Sequence, residues 1–409
     1  MTKASRFWTL LAGVRAALIF SLVLVMAPAT ALAAAPASAP APAGNSRLQE
    51  LLDEMVANGA TGALARVDDG RHTWRLASGS ARLEPRQPLT PAARYRVGSV
   101  TKTFVSTITL QLVGEGRLRL DDTVQRWLPG LVPNGEAITL RMLLNHTSGL
   151  FDYTEDPAFI ERLINDPTNP ASPRQLIAIA RMHPPNFPPG EGWSYSNTGY
   201  IVVGLILEAA TRRPVERLVR QRIIGPLRLT GTTFPRRSPF ISGYHAHGYR
   251  QPTAPGAPYL DVTPFSPTLA WTAGAIISTA DDLRRFYGAL LRGRLLRPAQ
   301  LEQMLTTVPV QPEFGYGLGI YTQQTACGTV WGHDGGIPGY LNVAFNDRSG
   351  RRSAEVMLPT EPNTDALWSA LQLTLDAAVC QMFGLAPPSE APAARSGSTL
   401  LDRTVARQE

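Results

Sequence analysis

The chain has 409 residues, 44% of them hydrophobic and 17% charged, an ordinary globular balance with length enough for a full core. Its formal charge is +7, and loss of Lys3, Arg6 and Arg15 with an N-terminal leader leaves 7 − 3 = +4. A remainder that small and scattered excludes a nucleic-acid footprint.

Residues 1–33 read as a secretory signal. Lys3, Arg6 and Arg15 form the basic start, 16–27 is an uncharged apolar run, Pro28 breaks it, and Ala31-Leu32-Ala33 is a small-x-small cleavage pattern. Cleavage would leave no membrane span and a secreted, periplasmic or envelope protein; an uncleaved anchor is the alternative. Residues 34–45 form an Ala/Pro-rich linker.

The folded unit is expected over 46–385. Leu48, Leu51, Leu52, Met55 and Val56 give residues 47–56 one apolar helical face. Short strands follow at 63–67 and 73–77 around the hairpin signal Asp68-Asp69-Gly70. Helical patterns dominate the middle, at 100–113, 140–144, 176–181, 200–210 and 215–224. Strand-like alternation returns from Phe314 through Val330, then at 340–346 and 354–358. A helix at 366–383 precedes a tail, 386–409, expected to be disordered. Strands, helices, then strands predict an α/β fold of the α+β type: one antiparallel sheet completed by both chain ends, flanked by N- and C-terminal helices, with an all-helical domain inserted at about 104–275. Cys327 and Cys380 are the only cysteines; in an exported chain an even pair reads as one disulfide, and two buried thiols are the alternative.

Lysine usage points to chemistry. Among 39 Lys and Arg residues only Lys3 and Lys102 are lysines, so the mature chain would use arginine everywhere but once. Arginine cannot lose its proton in a protein, whereas a buried lysine can. Lys102 therefore marks a place that needs a neutral amine. Ser99 stands three residues before it at the start of a helical pattern, so hydroxyl and amine share one face. The helix dipole there favours a developing alkoxide and, with desolvation, a neutral lysine. Ser99 as a plain N-cap is the structural alternative.

Two further motifs accompany this pair. Tyr195-Ser196-Asn197 follows Pro188-Pro189-Gly190 and precedes a helix near Tyr200; a phenol there can move a proton and an amide can hold a carbonyl. A packed tyrosine at a helix start is the plainer reading. His333-Asp334-Gly335-Gly336 ends a strand predicted at 329–332, where glycines let a substrate backbone approach.

In order and spacing, Ser99-Val100-Thr101-Lys102, Tyr195-Ser196-Asn197 and His333-Asp334-Gly335 resemble the class C β-lactamase and D-alanyl-D-alanine carboxypeptidase family of serine hydrolases. The likeness spans about residues 46–385, with Leu143-Leu144-Asn145-His146-Thr147-Ser148-Gly149-Leu150 and Ser278-Thr279-Ala280-Asp281-Asp282-Leu283 inside it. It is nearest to actinomycete carboxypeptidases, which also carry His in the third motif and cysteines matching Cys327 and Cys380. The resemblance implies that Ser99 forms an acyl-enzyme, with Lys102 and Tyr195 sharing the general-base work. Asn197 would bind the substrate amide, and the Ser99 and Gly336 amides would form the oxyanion hole. Gly335 would lie along the substrate, and His333 would act as a donor near Tyr195. It implies no metal or cofactor. The substrate would be a small peptide or ester, such as a peptidoglycan stem peptide ending in D-Ala-D-Ala, with β-lactams as acylating ligands and a monomeric enzyme. An esterase or weak β-lactamase is the near alternative, and a catalytically silent envelope-binding or sensor protein the distant one.

Asp334 departs from the family, which usually has Ser or Thr there to bind a substrate carboxylate. Facing the site, a carboxylate would repel such a group, and no Lys or Arg occurs between Phe314 and Asn346 to compensate.

His245-Ala246-His247 lacks a third ligand at zinc spacing and is expected in a polar loop or strand. His146 is expected to satisfy backbone groups at a helix end. Ser278-Thr279 reads as a cap before Asp281-Asp282. No G-x-S-x-G elbow and no Gly-Lys pair occurs.

Overall fold

The computed structural model describes residues 44–386, apart from 253 and 255; the signal, most of the linker and all but the first residue of the expected tail lie outside them. The chain opens with helix α1 (Gly44–Ala57) and strands β1 (Gly62–Asp68), β2 (Thr73–Arg82), β3 (Gln87–Pro88) and β4 (Tyr95–Arg96). A 3-10 turn, Gly98–Val100, runs into α2 (Thr101–Gly114), followed by α3 (Leu140–Leu144) and α4 (Asn197–Thr211) among other helices. Short strands β5 (Tyr249–Arg250), β6 (Leu260–Asp261) and β7 (Ile277–Ser278) punctuate this region, with α5 (Trp271–Gly274) before β7 and α6 (Ala280–Leu291) after it. The second half of the sheet is β8 (Val308–Gln311), β9 (Phe314–Tyr316), β10 (Tyr321–Thr325), β11 (Gly328–Ile337), β12 (Tyr340–Asn346) and β13 (Ser353–Leu358). Strand β14 (Thr360–Glu361) and helix α7 (Asp365–Phe383) end the described chain.

Nine strands form the main sheet in the order β3-β2-β1-β13-β12-β11-β10-β9-β8, antiparallel throughout. Both chain ends complete it, because β1 pairs with β13 in the register Leu64 to Met357. One face is covered by α1 and α7: Leu48, Leu51, Leu52 and Met55 pack with Leu367, Leu371 and Leu375 over Val343 and Val356. The other face meets the helical region, where Phe104, Ile108, Ile201 and Phe286 share a core with Leu64, Ala344 and Met357. Strands β1, β12 and β13 are therefore buried along their whole length. Such a three-layer arrangement is what strands flanked by amphipathic helices build.

The middle region is mainly helical but also contributes β5, β6 and β7, which make a three-stranded sheet with β14 and a pair with β4. Cys327, just before β11, is disulfide-bonded to Cys380 on α7, so the pair is not two thiols. Arg66 on β1 donates to Asp281 at the start of α6 at 2.7 Å and to Glu355 on β13 at 3.3 Å, tying the two layers together. Thr279 caps α6 by accepting from the Asp282 amide. His245 and His247 stack at 4.7 Å, and His247 Nδ1 lies 2.8 Å from Asp261.

Candidate active site

The site forms where the Gly98–Val100 turn meets the free edge of β11 beyond its pairing with β10. Gly98 has φ +50°, and a side chain on it would strike the Gly336 backbone; a side chain on Gly335 would strike the Val97 carbonyl. These two glycines let the turn and the strand touch backbone to backbone. Strand β11 runs through the third motif to Ile337, because 331–337 pair continuously with β12. The strand predicted to stop at Gly332 thus runs five residues further.

Ser99 is 6% exposed and makes no capping bond; its hydroxyl lies 3.0 Å from Lys102 Nζ. Lys102 is fully buried, and Nζ also reaches Asn197 Oδ1 at 2.7 Å and the Ala273 carbonyl at 2.9 Å. Burial lowers its pKa to about 7, against the opposing pull of Asp152 and Asp334. An ammonium donates to all three oxygens. A neutral amine gives its two N–H bonds to Asn197 and Ala273, and its lone pair is left facing the Ser99 hydroxyl proton. The geometry thus suits proton transfer from serine to lysine.

The Tyr195 ring centroid lies 4.7 Å from Lys102 Nζ. Asn197 is the first residue of α4, which starts three residues earlier than its apolar pattern suggested. Both ends of its amide are engaged within the protein: Oδ1 accepts from Lys102, and Nδ2 donates to Asp152 Oδ2 at 2.8 Å and Thr154 Oγ1 at 3.2 Å. The amide thus links Lys102 to the Asp152 carboxyl.

His333 departs from expectation. Burial, with Lys102 nearby, lowers its pKa to about 3, so the ring is neutral. Nδ1 lies 2.6 Å from the Asp334 carbonyl and must donate to it; Nε2 then accepts the Tyr316 hydroxyl proton at 2.8 Å. No N–H remains to serve as the predicted donor. Its 3.5 Å approach to the Asp334 carboxyl is for the same reason not an ion pair. Asp334 itself is 2% exposed, and burial raises its pKa to about 7, opposed by its own backbone amide, the Tyr321 hydroxyl and Lys102. The carboxyl lies among buried groups and carries less charge at neutral pH than an open carboxylate.

Sequence reasoning missed Asp152, Thr154 and Tyr316. Asp152 had a weak signal: it lies two residues beyond the Leu143–Leu150 stretch of the family likeness. His146 is buried with φ +65°, and its Nδ1 accepts the Ser196 amide N–H, as expected of a residue that satisfies backbone groups. The described residues contain no His, Cys, Asp or Glu group able to hold a metal ion.

Comparison with known proteins agrees with this architecture. A D-stereospecific amidohydrolase from Streptomyces sp. superposes with a TM-score of 0.73 at 40% identity, covering 80% of this chain and 98% of that one. The D-amino acid amidase of Ochrobactrum anthropi SV3 gives 0.72 at 27% identity, covering 82% and 98%. Penicillin-binding protein 4* of Bacillus subtilis is 28% identical over 318 residues, 74% of this chain and 69% of that protein. The chain spans 59% to 69% of the length of the first three curated relatives that it matches. The Beta-lactamase family model matches residues 48–374. With that match across most of its length, the chain belongs to the beta-lactamase family, among whose members similar to it are an amidohydrolase, an amidase and an esterase.

Proposed function

We propose that this chain is an exported hydrolase of D-configured aminoacyl amides and esters, working through an acyl-enzyme on Ser99. Lys102 takes the Ser99 proton as Oγ bonds to the substrate carbonyl carbon. The C–N or C–O bond then breaks, and the proton passes to the leaving group through Lys102 and Tyr195. Water repeats the sequence on the acyl ester and regenerates the serine. The Ser99 and Gly336 amides would hold the oxyanion, an interaction worth about 3 kcal/mol per donor in other hydrolases.

The observation that carries the substrate class is Asp334. A buried carboxyl follows His333 where a hydroxyl would help to receive a C-terminal carboxylate, and no Lys or Arg lies between Phe314 and Asn346. Amides and esters have no such carboxylate. The amidohydrolase and amidase relatives support this class and its D-configuration. The second reading is a D-alanyl-D-alanine carboxypeptidase acting on peptidoglycan peptides and acylated by β-lactams, which the penicillin-binding relative supports.

The test compares D-phenylalanine amide, its L-enantiomer and a D-Ala-D-Ala-terminated peptide, with intact mass measured after penicillin. The expected result is ammonia release from the D-amide at least about tenfold faster than from the L-amide, lost in Ser99→Ala. Faster release of D-alanine from the peptide, with a penicilloyl adduct on Ser99, would establish the carboxypeptidase instead. No turnover and no adduct would leave a silent binding protein.

A further inference from the structure

A side-chain amide has one accepting and one donating end, and at Asn197 the choice between them decides what Lys102 can do. With Oδ1 on Lys102, a neutral amine spends an N–H on Asn197 and keeps its lone pair for Ser99. With the amide reversed, Nδ2 would point at Nζ and compete with the serine proton for that lone pair. The Thr154 hydroxyl cannot select between the two states, since it both donates and accepts. Asp152 can. Burial raises its pKa, opposed by hydrogen bonds from Thr154 and Asn197 and by Lys102; as a carboxylate it only accepts, Oδ2 takes the Asn197 Nδ2–H at 2.8 Å, and Oδ1 is fixed by the Thr154 amide at 3.0 Å.

We propose that Asp152 is a positioning residue of the proton-transfer apparatus: through Asn197 it holds a carbonyl on Lys102 and thereby aims the lysine lone pair at Ser99. This rests on the reading of Ser99 as nucleophile and Lys102 as its base. Asp152 also acts through its charge. The groups facing Lys102 are Ser99 on its own turn, Asn197 and the Asp152 carboxyl behind it, the Ala273 carbonyl, the Tyr195 and Tyr200 rings, and His333 and Asp334 from β11. His146, close enough to be disfavoured as a cation by Lys102, is held neutral as His333 is. The acidic groups are therefore Asp152 and Asp334, both with a pKa raised by burial; each opposes deprotonation of Lys102 in its ionised form, so loss of that charge eases it.

The experiment measures the rate at which a fluorophosphonate phosphonylates Ser99 in the full chain, Oγ bonding to phosphorus as fluoride leaves, as a function of pH and followed by intact mass. The reagent has neither amide nor amino acid, so the result does not depend on which substrate the enzyme prefers. For Asp152→Asn, which cannot accept at both positions, the plateau rate falls on the order of tenfold, and the midpoint moves down by about one pH unit. Asp152→Glu keeps the charge but displaces the acceptor; its plateau falls while its midpoint stays within a few tenths of the wild-type value. In an Asn197→Ala background, Asp152→Asn changes the plateau no further. A wild-type plateau and midpoint in Asp152→Asn overturn the proposal. If that variant is unfolded by circular dichroism, a wild-type plateau in Asp152→Glu does so. A wild-type protein that is not labelled at Ser99 overturns the reading of the nucleophile and this inference with it.

Discussion

His146 grips the chain on both sides of Tyr195: its Nδ1 accepts the Ser196 amide N–H at 3.1 Å, and its carbonyl accepts that of Ser194 at 3.1 Å. The imidazole also lies 4.2 Å from the Tyr195 ring, centroid to centroid. Because φ is +65°, the carbonyl and the ring can reach two residues two places apart. Loss of the ring removes this support for Tyr195, together with its contacts to Tyr200 and Tyr316. His146→Ala should lower kcat by about tenfold to a hundredfold with a much smaller change in KM. His146→Asn, which tolerates the left-handed backbone and offers an acceptor, should recover part of the loss. Steady-state kinetics on one amide substrate decides the matter.

Activity should switch on as pH rises. Lys102 has a pKa of about 7 in the fold, and only its neutral form can take the Ser99 proton. The profile of kcat/KM against pH should therefore climb through a midpoint near 7, with His333 contributing no limb, since it stays neutral above about 3. Lys102→Arg should be inactive at every pH, because guanidinium does not give up its proton.

Asp334 should cost stability in a defined pH window. Its folded pKa of about 7 lies above the ordinary 3.8, so between those values the folded state binds more protons than the unfolded state. Stability due to this group falls as pH rises through that window, and the deficit is complete above about 7. Asp334→Asn should then melt with the wild type near pH 4 and above it at pH 8. Equal melting differences at the two pH values would refute the assignment.

Specificity offers a separate test of the same residue. Asp334→Thr restores a hydroxyl beside the site and should raise turnover of a D-Ala-D-Ala peptide relative to an ester by about tenfold. An unchanged ratio would remove Asp334 from the argument about substrate class.

The Cys327–Cys380 bond closes 53 residues spanning β11, β12 and β13. The chain-entropy relation gives about 4 kcal/mol for such a loop. The Cys327→Ser/Cys380→Ser double variant should lose about that much in urea unfolding, with the activity of the folded fraction retained.

What could be read in advance follows the range of the interactions. Ser99 and Lys102 meet because residues three apart share a helix face, a relationship internal to one turn. The sheet, with its cover of helices, was legible because apolar periodicity changes from helical to alternating and back. The proton arrangement of His333 was not legible because it is set by Tyr316, whose strand lies on the far side of β10. The link from Asn197 to Asp152 was not legible for a similar reason, since Asp152 lies 45 residues earlier. The extra length of β11 came from its pairing with β12, which outweighs the weak strand propensity of two glycines. In each case local pattern identified the reactive atoms, and distant partners fixed their protonation and direction.

The pairing of β1 with β13, and the contact of Gly98 with Gly336, also bear on biosynthesis. Residue 99 leaves the ribosome long before residue 336, and β1 waits still longer for its neighbour near residue 357. A growing chain can form the helices between them but neither the sheet nor the reactive centre, and such distant pairing folds slowly. The serine therefore meets its partner strand only after residue 336 has been made. The reactive centre is completed only by the last third of the chain.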